Sequence, residues 1–207
     1  MTGVLMKNVL STLLLLIVLC LALLKPAPAQ SKKIEQVDTS PVVADFAPGG
    51  KVNIDVCSSQ IDIKGTDAKS VKVSYERGSG RTEDTKVRME VSPSEADIRV
   101  TDCPSNNFEL TIEVPKFSDL YVRAFAGQVD VQGITGSKDV SMRAGQLTVD
   151  VGDAAAYGYV EASVTTGDLQ ASPFGVSKSG LLRSFDRHGP GKFRLHAHVG
   201  AGQLTLR

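Results

Sequence analysis

The sequence predicts an all-β fold in which short strands stack as successive coils. One frame recurs five times: alternating apolar positions, a corner of small residues, then two further alternating apolar positions. The second copy reads Leu120-x-Val122-x-Ala124-x-x-Gly127-Gln128-Val129-x-Val131. Alternation with a period of two runs through nearly every segment, and no window of useful length has apolar residues at helical spacing. A single unit of this kind cannot bury its apolar face alone, so neighbouring copies must stack.

A glutamine or an aspartate marks each corner, usually directly after a glycine. These corner positions are Gln60, Gly127 with Gln128, Gly145 with Gln146, Gly167 with Asp168, and Gly202 with Gln203. Glycine permits the positive φ of a tight bend, and Ser59 takes its place in the first copy. We expect the stacked glutamine side chains to form an amide ladder along one edge. The intervals between the marked positions, 68, 18, 22 and 35 residues, predict coils of roughly 18–22 residues.

Residues 1–29 are predicted to be a signal peptide. Lys7 is followed by an apolar run from Val9 to Leu24, and Ala27-Pro28-Ala29 has the small-x-small pattern of a cleavage site. This run is shorter than the about 20 apolar residues of a membrane span, so export with cleavage is favoured, although Lys25 leaves an uncleaved anchor open. Leu19 is too bulky for lipidation of Cys20. Residues 30–50 are predicted to be a loosely ordered polar leader with one short strand around 42–46, and residues 51–207 to be the repeat domain.

Charge and composition exclude several classes of function. Without the signal segment, 21 basic and 23 acidic residues remain, so no overall basic field attracts nucleic acid or an anionic membrane. Tryptophan is absent and aromatic residues are few, which removes most stacking platforms for sugars or single strands. The sequence also lacks a nucleophile elbow, a P-loop and a dinucleotide fingerprint, so no cofactor is expected.

Two cysteines, Cys57 and Cys103, remain after cleavage of the signal segment. Export permits them to form a disulfide, which would stabilise the fold by about 4 kcal/mol. If the coils stack in chain order, however, the two Cα atoms lie two coils and roughly 9.6 Å apart, too far for a bond. The sequence leaves both alternatives open.

On its motifs the chain resembles the bacterial putative-adhesin family of β-strand repeats, exported domains of largely unassigned function. The shared features are Val114-Pro115 before Leu120-x-Val122, the unit Gly127-Gln128-Val129-Asp130-Val131, the connector Gly133-Ile134-Thr135-Gly136, and the closing Gly202-Gln203-Leu204-Thr205-Leu206. The resemblance extends from about residue 34 onward and is strongest from 108 to 171. It implies a right-handed single-stranded β-solenoid or β-roll, and it supplies no catalytic residues.

The histidines are the first candidates for chemistry. His196 and His198 lie two apart in one predicted strand, and His188 precedes them by a short turn. Three imidazoles could bind zinc or copper. The alternation places His196 and His198 on the solvent face, and no cysteine or carboxylate lies at ligand spacing, so no metal site is predicted.

Acidic residues supply the other candidates. Asp62 and Asp130 occupy equivalent outward positions, but the acids are expected to be scattered along the stack and not paired for catalysis. Asp153 follows Val151-Gly152 and is interpreted as a turn residue, since a calcium-binding glycine-rich repeat is absent. Residues 177–187 form a mixed-charge insertion that suits either a binding loop or a solvated connector.

The predicted function is that of a non-enzymatic, exported structural or interaction domain of the cell envelope, periplasmic or at the cell surface, with an envelope or surface component as partner. The alternative is a carbohydrate-active enzyme or sugar-binding module on the same scaffold, and a sensory domain would need a membrane segment joined to a cytoplasmic partner. We further expect the last coil to expose a strand edge at Arg207, which either pairs two copies of the chain or is blunted by Arg194, His196, His198 and Arg207.

Overall fold

The computed structural model describes residues 32–34, 40–76, 86–102 and 108–207. Its strands are β1 Lys32–Ile34, β2 Val42–Asp45, β3 Lys51–Thr66, β4 Ser70–Glu76, β5 Lys86–Val91, β6 Glu95–Thr101, β7 Glu109–Pro115, β8 Asp119–Gln132, β9 Lys138–Val149, β10 Tyr157–Ala171, β11 Val176–His188 and β12 Phe193–Leu206. Two 3₁₀ turns, Ala154–Ala156 and Ser172–Phe174, are the only helical elements within these ranges, and neither has the length or apolar character needed to cross a bilayer. The predicted all-β class is confirmed. The predicted signal peptide, residues 1–29, lies outside the described residues.

Five long strands form the centre of one mixed sheet. They pair in parallel and in register, in the spatial order β3, β8, β9, β12, β10. Each is one copy of the repeat and bends at the corner position. We call the part before the corner the first arm and the part after it the second arm.

The spatial order of the repeats differs from the order along the chain. The last repeat, β12, lies between β9 and β10 and pairs with both. The prediction that the last coil exposes a strand edge is therefore wrong, because β12 has a paired strand on each side. The strand at this end of the sheet is β11, which pairs antiparallel with β10 and contains the whole of the predicted insertion, residues 177–187. Every repeat has the same alternation, so periodicity alone does not tell which two copies lie side by side.

The N-terminal strands extend the two arms separately. β6 pairs with the first arm of β3, followed by β5 and β1. β7 pairs with the second arm of β3, followed by β4 and β2. The short strand predicted around 42–46 corresponds to β2, and Val42, Ala44 and Phe46 are buried. The end of the predicted leader is therefore part of the core and not loosely ordered.

The apolar residues of both arms meet in one core. The residue after each corner position is at most 1% exposed in all five repeats: Ile61, Val129, Leu147, Leu169 and Leu204. Each buried side chain of this size stabilises the fold by roughly 1.5–3 kcal/mol. The inward parity inferred from the sequence is confirmed at these positions.

Candidate functional site

The solvent side of the first arms, which we call the first-arm outer face, carries two parallel rows of polar side chains. The first row, in spatial order, is Glu90, Asp97, Asn53, Tyr121, Asp139, His196, Glu161 and Asp186. The second row is Arg88, Arg99, Asp55, Arg123, Ser141, His198, Ser163 and Ser184. One row is thus rich in carboxylates, and its neighbour is rich in guanidinium and hydroxyl groups.

Asp139 connects the two rows at their centre. Arg123 donates two hydrogen bonds to its carboxylate, from Nη1 at 3.0 Å and from Nη2 at 3.1 Å. Nδ1 of His196 lies 2.9 Å from the same carboxylate. Partial burial opposes ionisation, but the hydrogen bonds and charges of Arg123 and His196 outweigh it and hold the pKa of Asp139 below its usual value. Asp139 is therefore an anion at neutral pH.

His198 has a different partner. Its Nδ1 lies 2.9 Å from Oγ of Ser163 on the neighbouring strand. The two side chains therefore hold each other in place on the first-arm outer face.

A groove of about 600 Å³ lies over β5, β6, β3 and β8 at one end of the two rows. Its polar lining includes Asn53, Asp55, Asp97, Arg99 and Tyr121. The amide of Asn53 donates hydrogen bonds to Asp97 at 2.7 Å and to Glu95 at 2.8 Å, which fixes the amide in the groove wall. The hydrogen bonds from Asn53 and Lys51 lower the pKa of Glu95.

A second groove of about 630 Å³ continues along the same face towards the corner. Arg123 and Arg99 line both grooves. Phe125 lines the second groove and is 55% exposed, with the Arg143 guanidinium 5.1 Å from the centre of its ring. The two grooves together offer cations, carboxylates and two aromatic rings to a ligand.

The predicted corner residues lie in one row across the sheet. Gln60, Gln128, Gln146, Gln203 and Asp168 are in register from β3 to β10. The glycine before each of the last four has a positive φ: +118° at Gly127, +128° at Gly145, +136° at Gly202 and +133° at Gly167. The glycines therefore have the bend conformation that the sequence predicts, and the amide ladder of the glutamines stays a prediction.

The predicted histidine and Asp153 candidates each contact different neighbours. His196 and His198 lie on the outer face as expected, and the ring of His188 packs at a tilt of 43° against Tyr159, with 4.9 Å between ring centres. Within the described residues, no group of three or more His, Cys, Asp and Glu side chains could hold a metal ion. Asp153 accepts a hydrogen bond from the Ala155 amide at 2.9 Å, which confirms it as a turn residue.

Asp62 and Asp130 are not scattered, contrary to expectation, because β3 and β8 pair directly and place them side by side. Each has its own cation. Arg207 lies 3.2 Å from both carboxylate oxygens of Asp130, and Lys64 lies 3.9 Å from Asp62. These two aspartates therefore form part of an ion-pair surface on the second arm.

Cys57 is disulfide-bonded. The other two cysteines, Cys20 and Cys103, lie outside the described residues. The predicted separation of two coils between Cys57 and the segment that leads to Cys103 is wrong, because β6 pairs directly with β3 and Val100 lies opposite Val56. The sulfur of Cys57 lies 3.2 Å from the carbonyl oxygen of Val100.

Sequence reasoning missed the buried Lys138. This lysine is 1% exposed and lies in register between Leu120 and Leu195. Its ammonium donates a hydrogen bond to the Tyr157 hydroxyl, which in turn donates to the Val151 carbonyl at 3.2 Å. Burial lowers the pKa of Lys138 to about 8 and raises that of Tyr157 to about 12. Lys138 lies two and four residues before Val140 and Met142, so the alternation of the strand predicts that its side chain points inward as theirs do.

Comparison with known proteins shows similarity at the level of the fold. No family model matches the chain, and no curated protein matches its sequence. Among solved structures, the chain is similar to a putative cell adhesion protein from Clostridium sporogenes, with a TM-score of 0.50 and 13% sequence identity. The match covers 86% of this chain and 99% of the other. At this identity the likeness shows a shared fold alone.

Proposed function

We propose that the chain is an exported, non-enzymatic domain of the bacterial cell envelope, and that the first-arm outer face is its contact surface. In this proposal the stacked strands form a right-handed β-solenoid with coils of the length that the corner spacing predicts, in which the last winding lies between two earlier ones. The observation that carries the proposal is the pair of polar rows, which run across eight strands. At about 4.8 Å per strand the rows extend roughly 34 Å, enough for an extended polymer or a protein partner.

The electrostatics of the face support recognition over acid–base catalysis. A general acid at neutral pH needs a carboxyl group with a raised pKa. The pKa values of Asp139 and Glu95 are instead lowered by their hydrogen-bonded neighbours. Carboxylates that stay ionised at neutral pH suit the binding of a ligand of complementary charge.

The disulfide at Cys57 supports export, because disulfides persist in oxidising compartments outside the cytoplasm. The fold shared with a protein described as a putative cell adhesion protein adds support for a surface role. Adhesion to an envelope or surface component is the activity we propose for this chain.

A sugar-binding role is a second candidate, and Tyr121 is the observation that favours it. This half-buried aromatic ring lines the first groove beside Asn53, Asp55 and Arg99. A tyrosine face packs against the apolar side of a sugar ring, and planar amide and charged groups bind its hydroxyls. Lys51 lies 4.7 Å from the centre of the same ring.

Capture from envelope fractions and binding to a glycan array test the two candidates. The groove variant Tyr121→Ala with Arg99→Ala is compared with the wild type and with a control, Thr148→Ala with Gln170→Ala, on the second-arm outer face. We expect the wild type and the control to retain an envelope component that the groove variant loses. Glycan binding that disappears in the groove variant alone would favour the sugar-binding role. Release of a cleaved glycan would overturn the non-enzymatic assignment.

A further inference from the structure

β11 closes one end of the stack and differs from every strand it covers. It is the last strand in the sheet order and pairs with β10 along its whole length. All its side chains except Val176 and Phe185 are exposed. Eleven of the 13 residues of this end strand are therefore exposed to solvent.

Three cations of β11 lie opposite core positions of β10, whereas Phe185 and Val176 lie opposite the other two, Ala162 and Ala171. Lys178 lies opposite Leu169, Arg183 opposite Val164, and Arg187 opposite Val160. The acid of the strand, Asp186, lies opposite Glu161 and so shares the outward parity. The two signs of charge on β11 are thus separated onto different faces.

Two leucines project at the corner of the same strand. Leu181 is 68% exposed and Leu182 is 79% exposed, the highest values among the large apolar side chains of the described residues. Leu181 lies in the register row that Ala126, Ala144, Ala201 and Thr166 occupy in the stacked repeats. Leu182 has a φ of +52°, a conformation uncommon for a residue with a side chain. A large apolar pair thus replaces small residues where the stack ends.

The segment around β11 has a net positive charge, whereas the preceding part of the chain has a net negative charge. Residues 172–194 contain five basic residues and one acidic residue, whereas residues 30–171 contain 15 basic and 22 acidic residues. The near-zero overall charge therefore conceals a cationic end. The overall charge balance excludes a general attraction to an anionic membrane, but it does not describe this locally cationic surface.

The edge of β11 is poorly suited to pairing with a second copy of itself. Nζ of Lys178 donates to the Ser184 carbonyl at 2.6 Å, and Nε of Arg183 donates to the Ser179 carbonyl at 2.7 Å. Positive φ values at Gly180 and Leu182 interrupt the extended backbone. Two such strands would also bring like charges together. These features resemble the devices by which proteins block edge-to-edge association.

We infer that β11 and the loop that follows it dock on an anionic lipid bilayer, with Leu181 and Leu182 inserted among the headgroups and the surrounding cations on the lipid phosphates. Transfer of exposed leucines from water to an apolar medium is favourable, and a lipid bilayer provides such a medium whereas a soluble anionic polymer does not. Cations near an anionic bilayer each strengthen binding by about fivefold. This surface is separate from the grooves of the proposed function, so either can fail alone.

The absence of tryptophan from the chain permits a site-specific test. The full chain with Leu182→Trp is titrated with vesicles of phosphatidylglycerol and phosphatidylcholine at a molar ratio of two to three, and with vesicles of phosphatidylcholine alone. The control is Val43→Trp, at another exposed apolar position, 48% exposed on β2. Both variants keep residues 1–29, so any membrane affinity of that segment is common to the two. We expect a blue shift and quenching by brominated lipid for Leu182→Trp with anionic vesicles only.

Charge and leucine variants give an independent measurement by vesicle sedimentation. Arg187→Gln with Lys192→Gln should weaken partition about 30-fold, and Leu181→Ser with Leu182→Ser by at least about tenfold. The matched control, Lys64→Gln with Lys116→Gln, removes the same charge elsewhere and should bind as the wild type does. Equal shifts for the two tryptophan variants, or equal binding by the charge variant and its control, would overturn the inference. Binding of an anionic polysaccharide without a shift at the Leu182→Trp site would also overturn it.

Discussion

The backbone of Gly202 leaves no room for a side chain on Gly167. A Cβ placed on Gly167 would lie 1.8 Å from the carbonyl oxygen of Gly202. The same relationship continues across the sheet, since a Cβ on Gly202 would lie 1.9 Å from the Gly145 carbonyl oxygen, and one on Gly145 would lie 2.0 Å from that of Gly127. The corner row therefore requires glycine for two reasons, positive φ and close approach of neighbouring backbones.

The substitution Gly202→Ala should lower the free energy of unfolding by about 3 kcal/mol or more, because strain at positive φ is added to a clash with backbone. Gly175→Ala is the matched control, since Gly175 also has a positive φ, +68°, but no atom lies within 4 Å of the position that its Cβ would take. It should cost about 1 kcal/mol. Urea unfolding followed by circular dichroism measures both, and equal losses would contradict the close approach.

The buried Lys138 predicts a rise of stability with pH. Its pKa is about 8 in the folded protein and about 10.4 in the unfolded chain. Between these values the unfolded state binds more protons, so the free energy of unfolding should increase by about 2 kcal/mol from pH 7 to pH 9.5. Above pH 10 the raised pKa of Tyr157 reverses the slope, because the folded state then retains the proton.

Lys138→Met is the variant that isolates this effect. It removes the ammonium and leaves the Tyr157 hydroxyl its hydrogen bond to the Val151 carbonyl. We expect the variant to be more stable than the wild type at pH 7 and to lack the rise between pH 7 and 9.5. Chemical denaturation across this pH range provides the measurement, and an unchanged slope in the variant would assign the rise to another group.

Asp139→Asn should destabilise the protein by about 1 kcal/mol at pH 7, since it weakens the paired hydrogen bonds from Arg123 on a partly exposed surface. The folded pKa of Asp139 is lowered, so its stabilisation is present at neutral pH and is lost as the pH falls through that pKa. The difference between variant and wild type should therefore shrink below about pH 4. Asp55→Asn is the control, because Arg99 lies 3.7 Å away and both side chains are about two-thirds exposed. Its effect should stay under about 0.5 kcal/mol.

We expect the disulfide partner of Cys57 to be Cys103, because β6 ends at Thr101 beside the corner of β3. Peptide mapping of the exported protein without reduction should yield one linked peptide that contains both residues. A link to Cys20, or to a second chain, would refute this pairing.

The sequence was sufficient for the local structure and insufficient for neighbour relations. Alternation identified Ile61, Val129 and Leu204 as core residues, and the corner motif identified the bends at Gly127 and Gly202. These properties depend on residues close together in the chain.

The two rows of the candidate site depend on pairing between distant strands, for example Asp139 opposite His196. No local pattern encodes that pairing when five repeats share one parity. The same limitation explains the error on Cys57 and the unexpected pairing of Asp62 with Asp130.

The position of β12 provides the most direct test of the sheet order. The backbone of β12 is hydrogen-bonded to β9 on one side and to β10 on the other. Its residues Leu195, Ala197, Leu204 and Leu206 are fully buried. Hydrogen exchange should therefore be among the slowest in β12 and fast in the exposed edge strand β11, because exchange of interior strands requires global opening. If the repeats instead stacked in chain order, β12 would be the terminal strand and would exchange early. Comparable rates in β11 and β12 would contradict the insertion of β12 between β9 and β10.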